Sequence, residues 1–304
     1  MSHFARIAHR LQSGRPLVVD SDSAASLRAR GLGLNSPGAA GLLLREHPDA
    51  VRRHYAAEVA SCVDVLCALT ADTTPRALAE VGMEHRSAWL TGTSVELALE
   101  EASAAPKPVA VAGVLGSDMV SPLSTARLVT EFQEHANRLA SSGCELIIAR
   151  GQGSRLGLMA AVVAGAETSL PTWAVLQLHN DEVLEGDVEE LLQTLTGAGA
   201  SAVVLEVSGT QAGLDYLERL KSTSVAPLGV LMAAGAQSVR GFADEAGDLR
   251  AWAARVLALT SPVCRIIGGG AGTTEAHTRS LAVSLGSLPP PALHAHAPLD
   301  GQSA

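Results

Sequence analysis

Eight short apolar runs, rich in β-branched residues, recur along the chain at residues 16–20, 63–70, 108–116, 145–150, 172–178, 202–207, 228–232 and 264–269. Between them lie segments with apolar residues at helical spacing: 43–61, 95–103, 125–142, 155–164, 188–196, 213–221, 249–259 and 276–285. The runs are nearly continuous in Val, Ile, Leu and Ala, the pattern of parallel strands covered on both faces, and every crossover is long enough to hold a helix. An open doubly wound sheet would alternate in the same way. Closure is preferred because eight units fill the 304 residues and no GxGxxG fingerprint follows the first strand at Asp20. The fold class is therefore α/β, a single (β/α)8 TIM barrel.

Three stretches are expected. Residues 1–15 carry Arg6, Arg10 and Arg15 with no acid, the charge pattern of a transit peptide but without its Ser enrichment, and read as an N-terminal helix closing the barrel. Residues 16–288 form the barrel. Residues 289–304 open with three prolines and continue Ala-Leu-His-Ala-His-Ala-Pro, a disordered tail with little to bury. With 47% hydrophobic and only 17% charged residues the chain must bury a substantial core, which excludes a disordered protein. A net charge of -9, with no Lys/Arg cluster, gives no footprint for nucleic acid or a membrane surface. No apolar stretch reaches the roughly 20 residues that span a bilayer. Cys62, Cys67, Cys144 and Cys264 form no CxxC pair and no disulfide framework, so a reducing cytoplasm is expected and all four read as packing residues.

In such a barrel the site lies at the C-terminal ends of the strands. Those positions are Asp20, Thr70 with Asp72, Gly116 with Asp118, Arg150, Gln177 with His179, Glu206, Met232 and the loop 268–272. Asp20, Arg150 and Glu206 end otherwise apolar strands, where an ionised side chain needs a partner or water. They read as a polar floor, either facing a ligand or, for Arg150 and Glu206, pairing with each other. Gly268, Gly269 and Gly270 enter a helix at Thr273-Thr274 and read either as a weak phosphate cradle or as a tight turn of positive-φ glycines. No HExxH and no GxSxG is present, and no metal ligands gather at the strand ends.

The order of motifs resembles the homocysteine S-methyltransferase family over about residues 16–285. The resemblance is carried by Leu17-Val18-Val19-Asp20, Leu34-Asn35-Ser36-Pro37, His47-Pro48-Asp49-Ala50-Val51, Val63-Asp64-Val65 with Thr70 and Thr74-Pro75, and Arg265-Ile266-Ile267-Gly268-Gly269 with Gly272-Thr273-Thr274 and His277. It implies a (β/α)8 barrel in which three cysteine thiolates hold a zinc ion that activates the acceptor thiol. The chain departs from that pattern at the site. Glu206-Val207 and Gly270-Ala271 stand where the family's cysteines stand, and Arg150 stands where the family has a glutamate that binds the acceptor's amino group. Family zinc is thus not expected, and no cofactor is.

The resulting expectation is a homocysteine S-methyltransferase-like barrel with a degenerate, zinc-free site. It binds a small amino-acid-like or anionic ligand through Asp20, Thr70, Arg150, Glu206 and Gly268–Gly270, in a role related to methyl transfer. The alternative is a catalytically inactive partner or regulatory subunit of an active methyltransferase. Partners are a small molecule and either another protein or a second copy.

Overall fold

A computed structural model describes residues 2–12, 14–116, 125–150, 154–177, 188–235 and 246–289. Eight parallel strands close in sequence order: β1 (Leu17–Val19), β2 (Val65–Ala68), β3 (Ala110–Leu115), β4 (Leu146–Arg150), β5 (Thr172–Gln177), β6 (Ala202–Val207), β7 (Leu228–Met232) and β8 (Cys264–Gly269). Closure is made by β1 on β8, with Val19 opposite Gly268. Helices fill the crossovers, so the strands are covered on both faces, as their unbroken apolar character required. Asp118, His179 and residues 290–304 lie outside the described residues.

The helix expected over 43–61 is two helices, Ala39–Glu46 and Pro48–Ala60. Proline has no N–H to donate and disfavours helical backbone in the residue before it; His47 sits at φ -136° and ψ 49°, and Pro48 starts a new helix. Two further helices, Ser23–Ala29 and Pro75–Ala79, occupy stretches without a helical apolar period. Each is set by its cap: Asp22 accepts from Ala24 N and Ala25 N, and Thr74 accepts from Ala77 N ahead of a proline.

Inside the barrel Leu17, Val19, Val65, Leu146, Ile148, Trp173, Val175, Val204 and Ile266 form one buried cluster, joined by Phe4 and Ile7 from residues 3–11. Phe4 meets Trp173 edge-on, with ring centroids 6.0 Å apart. This N-terminal segment lies across the N-terminal ends of the strands. Glu145 accepts from His3 N and Phe4 N, and Arg10 reaches the buried Asp64 at 2.8 Å. With that end filled, the cavity is left at the other. No helix among the described residues is long and apolar enough to cross a membrane.

Candidate functional site

At the C-terminal mouth of the barrel lies a cavity of about 370 Å³ whose lining includes Asp20, Cys67, Thr70, Arg150, Gln177, Glu206, Gly269 and Gly270. Of the strand-end residues singled out by sequence, Asp20, Thr70, Asp72, Gly116, Arg150, Gln177 and Glu206 converge here, as the parallel closed sheet dictates, whereas Met232 is buried in the hydrophobic core and does not line the cavity. Gly268 lies one step below, where a Cβ would stand 2.7 Å from the Val19 carbonyl oxygen, too close for any side chain.

Asp20 sits on the floor, 2% exposed, with one carboxyl oxygen accepting the Cys67 N–H at 2.7 Å. Burial pushes its pKa well above the usual carboxylate range. The Glu58 carboxyl adds to the rise, while the Cys67 contacts and the Arg150 charge oppose it. Burial, followed by the neighbouring Asp20, also pushes the Cys67 thiol well up, so this cysteine is no ready thiolate. Thr70 is fully buried and its hydroxyl is committed to β3: it accepts from Val114 N at 2.9 Å and donates to Val114 O at 3.0 Å.

Arg150 and Glu206 meet at the mouth, Nη1 to Oε2 at 3.4 Å, with side chains 30% and 15% exposed. Gln177 Nε2 donates to the same Glu206 oxygen at 3.2 Å, and Ala271 N donates to the other at 3.1 Å. Gln177 Oε1 is buried with no hydrogen-bond partner among the described residues. Gly116, at φ +108°, lets the end of β3 approach β4 closely; a Cβ there would stand 2.3 Å from the Arg150 carbonyl oxygen.

Of the two structures expected for the glycine loop, it takes the tight turn, closed by Thr273 N on the Gly270 carbonyl with a left-handed Gly272, and not the phosphate cradle. Gly268 and Gly270 are held by close backbone approach and Gly269 by the Thr273 side chain, while Gly272, at φ +78°, takes the left-handed conformation. The loop's amides are not open to a phosphate. Gly270 N donates to Met232 O, Ala271 N to Glu206, Gly272 N to Asp22 Oδ2 at 3.0 Å and Thr273 N to Gly270 O. The anions on this loop are two of the protein's own carboxylates. Thr274 is the helix N-cap, and its N–H donates to His277 Nδ1 at 3.1 Å.

Sequence reading passed over Glu58, Asp22 and Ser21. Glu58 is fully buried in the Pro48–Ala60 helix, accepting from the Ser21 hydroxyl and, at 3.4 Å, from Ser21 N. Burial raises its pKa to about 7, against the pull of the Ser21 and Thr278 hydroxyls. A signal was present: Glu58 shares one helix face with Val51 and Tyr55, both fully buried. Asp22 carried the sequence signature of a helix cap, immediately before Ser23-Ala24-Ala25.

Among the described residues no group of three or more His, Cys, Asp or Glu is placed to hold a metal ion. Where β6 and the β8 loop meet, the Glu206 carboxylate is the metal donor among the described residues, already engaged by two N–H groups and a guanidinium. A divalent cation there would face Arg150 across a single carboxylate, so these residues do not fit zinc.

The family profile described as homocysteine S-methyltransferase matches residues 17–285. Among solved structures, the metallated form of the homocysteine methyltransferase MmuM from Escherichia coli superposes with a TM-score of 0.77 at 20% identity, over 91% of this chain and 99% of that one. The apo form of the same protein gives 0.70 at 21% identity, over 91% and 98%. At such identity the likeness shows the fold. No curated protein matches the sequence.

Proposed function

The chain belongs to the homocysteine S-methyltransferase family, and we propose that within it this protein is a zinc-independent member that binds a small amino-acid-like or anionic ligand in a role related to methyl transfer. The observation that carries the reading is the cluster of Arg150, Glu206 and Gln177 over a 370 Å³ cavity with Asp20 on its floor. A guanidinium at the mouth suits a ligand carboxylate. Burial favours the neutral form of Asp20, in which it would offer a ligand a hydrogen-bonding group in place of a second anion. Gln177 Oε1, a buried acceptor without a partner among the described residues, is what a ligand N–H would satisfy. Leu34, Leu69, Ile148 and Leu231 give the cavity an apolar part of its wall.

In this reading the chain's own residues bind and orient the ligand, and a methyl group would pass to an acceptor that needs no metal to become nucleophilic. All four cysteines are free thiols, in keeping with a cytoplasmic protein. The test is calorimetry and thermal shift with carboxylates, amino acids and sulfonium donors, run beside a methionine-formation assay with homocysteine and S-methylmethionine, betaine or S-adenosylmethionine, with zinc added and withheld. Binding of a carboxylate ligand that weakens roughly tenfold or more in Arg150→Gln, as loss of a charged hydrogen bond requires, supports the reading. Absence of any ligand, or methionine formation that depends on zinc, overturns it.

One observation favours a second reading. Arg150 and Glu206 satisfy each other internally, which a catalytically inactive partner subunit of an active methyltransferase would also show. Co-purification with another methyltransferase barrel and no ligand binding would favour that role.

A further inference from the structure

Glu206 links its own strand to β4, β5 and the loop beyond β8, two of which are not its neighbours in the sheet. From β6 its Oε2 takes the Arg150 guanidinium of β4 at 3.4 Å and the Gln177 amide of β5 at 3.2 Å, while its Oε1 takes the Ala271 amide beyond β8 at 3.1 Å. The Ala271 contact is flanked by a second one, Asp22 Oδ2 on Gly272 N at 3.0 Å, which draws the same loop towards β1. Both carboxyl oxygens of Glu206 are occupied; the Gln177 contact is part-buried and the Ala271 contact exposed, and each is strengthened by the carboxylate's charge.

We propose that Glu206 is a carboxylate cross-link standing in for a metal at the mouth of the barrel: it ties the β8 loop to β6 and positions Arg150 and Gln177 over the cavity. Glu206 is thus a positioning residue. Arg150 and the Ala271 amide use different oxygens of it, which makes their roles separable. Glutamine at 206 keeps a carbonyl oxygen that can accept from Ala271 N, but its amide nitrogen would face the Arg150 and Gln177 donors. Alanine keeps neither contact. The inference rests on the zinc-independent half of the proposed function, and its probes need no ligand, so failure to find a ligand leaves it standing.

The experiment uses the full chain and its Glu206→Gln and Glu206→Ala variants, with phenylglyoxal labelling of Arg150 read by peptide mass and amide exchange of the Gly269–Thr273 segment. Arg150 labels several-fold faster in both variants. Exchange at Ala271 rises roughly tenfold in Glu206→Ala and stays near wild type in Glu206→Gln. This split distinguishes a specific cross-link from general loosening, which would move both probes together, and Glu206→Gln carries the test if the alanine variant does not fold. In wild-type protein, excess zinc chloride or EDTA leaves the melting temperature unchanged. Arg150 labelling unaltered in both variants, both probes shifting in parallel in Glu206→Gln, or stoichiometric zinc that raises the wild-type melting temperature would each overturn the proposal.

Discussion

Glu58→Gln should make the protein more stable at neutral and alkaline pH, although it alters a fully buried, hydrogen-bonded residue. The Glu58 carboxyl titrates at about 7 in the folded protein, against an ordinary 4.5. Between those values the unfolded chain has released its proton while the folded protein keeps it, so stability falls as pH rises through this window. The contribution is fully favourable below about pH 4.5 and is lost by about pH 7. At roughly 1.4 kcal/mol per pH unit, the loss is on the order of 3 kcal/mol. Glutamine has the same shape and no charge to bury. Its oxygen can accept from Ser21 as Glu58 Oε1 does, and its amide can donate to Thr278 Oγ1, which has no other partner among the described residues. Urea unfolding of both proteins from about pH 5 to about pH 8 should show the variant gaining on wild type by up to about 3 kcal/mol as pH rises, most of it before neutrality. Asp20 would also lose one of the influences that hold its proton. A stability difference that stays flat across this range would refute the reasoning, because then Glu58 is not protonated in the folded state.

Three further perturbations follow from the same structure. Asp64→Ala removes the acceptor of Arg10, Lys107 and Val18 N in one step, and equilibrium unfolding should show a loss of about 3 kcal/mol. Phe4→Ala empties the lower barrel beside Trp173; a loss of roughly 3 kcal/mol is expected, with a red shift of tryptophan emission as water reaches the ring. Gly116→Ala forces a Cβ against the Arg150 carbonyl at a positive φ, so it should cost about 1 to 3 kcal/mol and speed phenylglyoxal labelling of Arg150, whereas an unchanged labelling rate would mean that β3 does not hold β4 in place.

The strand order was legible because each parallel strand is a short unbroken apolar run, and the sheet agrees with the expected runs to within one or two residues at either end. Breaks within helices were harder to read. His47-Pro48 sat inside an apolar period that continued on both sides, and backbone chemistry overrode the pattern. The strand-end polar residues could also be found in sequence, since a charge ending an apolar run has few places to go but the mouth of the barrel.

What sequence determined by itself is the sequence of local choices: eight strands, the helices between them, and the list of polar groups that closure would carry to one end. What only the tertiary structure decided is which of those groups touch. Arg150, Gln177, Glu206 and Ala271 meet through bonds spanning up to 65 residues, and Asp22 reaches Gly272 only because β1 closes on β8. Hydrophobic period records how each segment lies against the core, and it carries no information about a polar partner on another strand. That partner is chosen by barrel geometry and by the cost of leaving a buried charge or amide unpaired, which is why the site's groups were visible in sequence and its bonds were not.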